Sequence, residues 1–80
     1  MTREEIERLI SSTNRETRMW GYLLQDTTLL LEQKVSRLKL AVNNGEFGIA
    51  EGLAQECQAL KEKLEKTEWT VICRQSESAE

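Results

Sequence analysis

Val42-Asn43-Asn44-Gly45-Glu46-Phe47 sits near the middle of the chain and separates two long stretches with the same hydrophobic rhythm. Asn and Gly tolerate the left-handed backbone that ends a helix, so the stretch reads as a helix stop followed by a turn. On its C-terminal side Ala50, Leu53, Cys57, Leu60, Leu64, Thr67 and Val71 recur at spacings of 3, 4, 3, 4, 3 and 4. That repeat keeps one helix face turned toward a partner helix. On the N-terminal side Trp20, Leu24, Thr27, Leu31, Val35, Leu38 and Val42 form a matching stripe. Two such stripes joined by a short break predict an all-α fold, an antiparallel helical hairpin.

The boundaries follow from capping residues. Thr2-Arg3-Glu4-Glu5 has the form of a capping box, which predicts a short helix over about residues 3–11 carrying Ile6, Leu9 and Ile10. Ser11-Ser12-Thr13-Asn14 favours a break, because these side chains compete for backbone hydrogen bonds. Thr13 with Glu16 repeats the capping-box pattern and opens a long helix over about 14–43. Gly21, beside Trp20 and Tyr22, is either a tolerated glycine near a helix start or a place where another backbone comes close. The return helix is expected over about 47–73, with Glu46 near the positive end of its dipole and with Glu62–Lys66 and Lys61–Glu65 as i, i+4 ion pairs. Residues 74–80 lack an apolar anchor and read as a disordered tail, which leaves 1–73 as a single helical domain.

Eighty residues with 39% hydrophobic side chains bound what the chain can be. A domain of this size buries only ~60% of its unfolded surface, and small domains usually add a staple or a partner. Cys57 and Cys73 stand sixteen positions apart on one predicted helix, ~24 Å at 1.5 Å per residue, so they cannot bridge each other. Free thiols, the lack of a signal-peptide pattern and the lack of a long apolar run point to a reducing, cytoplasmic setting without membrane insertion. The net charge is −3; residues 1–43 hold seven basic and six acidic side chains, and residues 44–80 hold four and eight. Neither half is basic enough for nucleic acid.

Catalysis has little to draw on. The chain has no His, no glycine-rich phosphate loop and no Cys beside an evident base, so no enzyme, cofactor or metal is expected. Cys57 falls on the seam as a small hydrophobe, whereas Cys73 lies near the helix end, where a thiol can be exposed.

What remains after the seams are assigned is apolar. Met19, Leu23, Leu30 and Leu40 lie beside the first stripe, and Ile49, Trp69 and Ile72 flank the second. Two helices cannot cover all of these residues. Either residues 1–12 fold back over part of this surface or a protein partner does. Trp20 and Trp69 combine large area with a polar handle, so they join the candidate partner-binding set.

Arg37-Leu38-Lys39-Leu40, Asn44-Gly45-Glu46 and Gln55-Glu56-Cys57-Gln58-Ala59-Leu60-Lys61-Glu62 together resemble the small co-chaperones of type III secretion needle subunits, over roughly residues 25–72. The resemblance implies a cytoplasmic bacterial protein that binds a TPR-type chaperone and, through it, helps to hold a needle subunit unpolymerised before export. The residues themselves also fit a self-associating coiled-coil adaptor, a homodimer when alone, or a small helical inhibitor of a larger protein machine.

Overall fold

In a computed structural model, the backbone of residues 1–78 and the side chains of residues 1–74 are described. They form three helices: α1 (Arg3–Ile10), α2 (Arg15–Asn43) and α3 (Phe47–Ser78). Helices α2 and α3 run antiparallel as a hairpin and α1 packs against α2, giving an elongated body of 52 × 19 × 16 Å.

Each boundary has a local cause. The Glu5 amide donates to Thr2 Oγ1 at 3.2 Å, and the Glu5 carboxylate accepts from the Thr2 amide and hydroxyl, closing the expected capping box. The start of α2 differs from expectation by one residue. Asn14, not Thr13, is the N-cap, its Oδ1 accepting from the Thr17 amide at 3.2 Å. This leaves Glu16 outside any box and available to a distant partner. At the other end of α2 the Gly45 amide donates to Val42 O at 3.1 Å and the Glu46 amide to Ala41 O at 2.9 Å. Those two bonds are the Schellman pattern, and Gly45 adopts the left-handed φ of 75° that the pattern requires.

The seam of the return helix is placed as its spacing implies: Ala50 and Val71 are buried, and Leu53, Cys57, Leu60, Leu64 and Thr67 are half-buried. The α2 seam departs at one position, where Ala41 is buried and Val42 is exposed. Repeats of seven from Trp20 and Thr27 lead to Lys34 and Ala41, so a strict heptad selects Ala41. Leu24 has no exposed surface and joins Ile6, Leu9 and Val71 as the core where all three helices meet. Thr27 is buried on the same seam, and its hydroxyl donates to Leu23 O at 2.8 Å, so no polar group is stranded there.

Two further expectations are corrected. Helix α3 does not stop at Cys73; it continues through Ser78. No Gly or Pro interrupts Arg74-Gln75-Ser76-Glu77-Ser78, and extending a formed helix fixes one residue per hydrogen bond gained. The rest of the expected tail, residues 79–80, lies outside the described residues. The i, i+4 pairs Glu62–Lys66 and Lys61–Glu65 are not closed; instead the Gln58 amide donates to Glu62 at 3.3 Å.

Candidate interaction face

The two flanks of the α2–α3 seam are not equivalent. One flank carries α1. An ideal Cβ at Gly21 would lie 2.9 Å from both the backbone nitrogen and Cγ1 of Ile10 and 3.0 Å from Leu9 Cβ, so α1 crosses α2 where α2 has no side chain. Further along the same flank Ile6 shares a cleft with Gln25, Thr28 and Leu29, and the Met1 amino group sits 3.0 Å from Glu68 on α3.

The other flank is marked by ion pairs between the long helices. Lys34 Nζ lies 3.0 Å from Glu56 Oε2. Near the open end of the hairpin the Arg74 guanidinium donates to Glu16 and lies 5.4 Å above the centre of the Trp20 ring. A cation stacked on an aromatic face and paired with a carboxylate ties the C-terminal part of α3 to the first turns of α2. Arg74 was expected to begin the disordered tail; it is a clamp.

Residues three, four or seven apart share a helix face. Leu30 therefore lies in the row of Lys34, Leu23 in the row of Leu30, and Met19 in the row of Leu23, all on the flank that α1 leaves open. Met19 is 64% exposed, Leu23 and Leu30 are exposed, and a shallow apolar groove runs between Glu16, Met19, Trp20 and Leu23. Leu40 continues the row through Gln33 and Arg37 and is exposed. Ile49, two turns before Glu56 on α3, extends this flank around the hairpin end.

Three of the expected residues lie elsewhere or play another part. Trp69 is 68% exposed but stands two residues from both Thr67 and Val71, about 200° around the helix, so it points away from α2. Its neighbours there are Lys66, Thr70, Cys73 and Arg74. Ile72 follows Glu68 by one turn and so lies on the α1 side. Trp20 is half-buried, packed on the core cluster beneath Arg74. The sequence also held four exposed apolar residues that were not singled out for a partner: Tyr22, Leu29, Val42 and Phe47. Val42 and Phe47 join Leu40 and Ile49 as an apolar collar around the turn. Tyr22 and Leu29, a heptad apart, lie on the back of α2, where Leu29 borders the Ile6 cleft on the α1 side.

The face is shallow and offers apolar side chains. Among the described residues no group of His, Cys, Asp or Glu could hold a metal ion, and no helix is long and apolar enough to cross a membrane. Glu5 is held below its ordinary value of 4.5, chiefly by the Thr2 backbone amide and then the Thr2 hydroxyl, the same two hydrogen bonds that close the capping box. A scan against models of protein families found no match, and searches of curated proteins and of solved structures found no significant similarity.

Proposed function

We propose that this chain is a small, non-enzymatic co-chaperone. Its Met19–Leu23–Leu30–Leu40 row docks on a TPR-type chaperone, and the pair keeps a type III secretion needle subunit unpolymerised before export. What supports the reading most directly is the position of α1: it covers the Gly21 flank and leaves Met19, Leu23, Leu30 and Leu40 bare on the other. A TPR array ends in a repeat whose apolar face needs a cap, and an amphipathic helix with anchors at helical spacing is a fitting cap. The identity of the partner comes from the resemblance of residues 25–72 to the needle-subunit co-chaperones. A tagged chain isolated under mild conditions from the native cytoplasm tests it. Mass spectrometry should find a TPR protein and a short helical needle subunit at fixed stoichiometry. A different stoichiometric partner, or none, overturns the proposal.

A further inference from the structure

The open row on α2 is itself a heptad seam: Leu23, Asp26, Leu30, Gln33, Arg37 and Leu40, at spacings of 3, 4, 3, 4 and 3, with every member exposed. Among the described residues Asp26 and Arg37 have no ion pair or side-chain hydrogen bond, and each stands one step inside a terminal leucine of this half-apolar seam. We propose that in the free chain the row is closed by a second copy, α2 against α2, antiparallel about a two-fold axis between Leu30 and Gln33.

The charges select that register. A two-fold dimer with parallel helices sets each residue against itself, so Asp26 would face Asp26 and Arg37 would face Arg37. An antiparallel pair about the Leu30–Gln33 midpoint instead sets Leu23 against Leu40 of the partner subunit, Asp26 against Arg37 of the partner subunit, and Leu30 against Gln33 of the partner subunit. Each layer occurs twice by symmetry, over about 26 Å of helix. Sliding one heptad one way puts Asp26 against leucine; sliding the other way carries Leu23 beyond the end of the opposite helix. Only the proposed register gives the apolar ends a partner and satisfies both charges.

The dimer requires nothing beyond this chain. Because the same row serves the heterologous partner, the second copy and that partner exclude each other; this competition, though not the dimer, rests on the function proposed above.

Sedimentation equilibrium of the purified chain, with circular dichroism on each sample, tests the register. The wild type should weigh twice 9.2 kDa at micromolar concentration. Asp26→Arg and Arg37→Asp should each raise the dissociation constant about tenfold, by turning two weak attractions into repulsions, and the double charge swap should restore it to within about threefold. Asp26→Asn, which adds no bulk, should raise it about threefold. A monomer at every concentration, or a dimer that ignores these changes, overturns the proposal.

Discussion

Ile10 packs where Gly21 has no side chain: a Cβ at position 21 would come within 2.9 Å of the Ile10 backbone nitrogen, and backbone cannot swing aside as a side-chain tip can. That contact fixes the side of the hairpin on which α1 lies, and hence the side that stays open. Gly21→Ala should therefore destabilise the chain by about 1–3 kcal/mol through overpacking, against the ~1 kcal/mol that Ala contributes in helix propensity. Urea unfolding gives the sign; a higher midpoint in the variant would mean that α1 does not rest there.

The remaining glycines should respond with different signs. Gly45 has a φ of 75°, so Gly45→Ala should cost about 1–2 kcal/mol. A Cβ at Gly48 or Gly52 meets nothing within 4 Å, and at Gly52, inside α3, Ala should stabilise by about 0.5–1 kcal/mol. Thermal unfolding of the two variants side by side separates them.

Leu23 and Leu24 are adjacent in sequence and opposite in role. Leu24 has no exposed surface, so Leu24→Ala should cost about 2–4 kcal/mol, while Leu23, 37% exposed, should cost the monomer only about 1 kcal/mol on truncation to Ala. Chemical denaturation at low protein concentration measures both. Equal losses would make Leu23 part of the internal core.

Protonating Glu5 should loosen α1 before the hairpin. Its folded value lies below 4.5, so the stability it contributes is present above that value and is lost as pH falls through the lower folded one. Thr2→Ala removes the hydroxyl that caps the helix and should weaken this acid dependence. Methyl NMR of Ile6 and Leu9 between pH 6 and about 2 follows the docking; identical titrations in both proteins would contradict the assignment.

The two thiols report the seam. Cys57 is half-buried between the long helices and Cys73 is exposed, so a thiol reagent should modify Cys73 first in the native protein and reach Cys57 more slowly. Equal rates would place Cys57 outside the seam.

How far the sequence could be read depends on the range of the interaction. The hairpin follows from local rules, seven-residue repeats around an Asn-Asn-Gly stop, and the α3 seam is placed at every position. The stripe that ends at Val42 drifts in spacing after Leu31, whereas a strict repeat selects Ala41, the buried residue. Trp69 is exposed, and its two-residue offset from Thr67 and Val71 turns it away from α2, onto a face separate from the Met19 row. The position of Arg74 over Trp20 was not legible, because it depends on the first turns of α2 meeting the C-terminal part of α3, 58 residues away at the Glu16–Arg74 pair. Nor was the side taken by α1. Gly21 signalled a possible close approach, but only the packed structure shows which backbone arrives.

The central claim is that Leu23 and Leu30 serve a partner and not the fold. The measurement that tests it most directly compares the wild type with the double variant Leu23→Glu, Leu30→Glu, recording helicity and unfolding midpoint together with what each protein retains in a pull-down from native cytoplasm. The account predicts nearly unchanged helicity, a midpoint only slightly below that of the monomeric wild type, and loss of the stoichiometric partner. Retention of the same partner by a folded double variant, or unfolding of the variant, would contradict it.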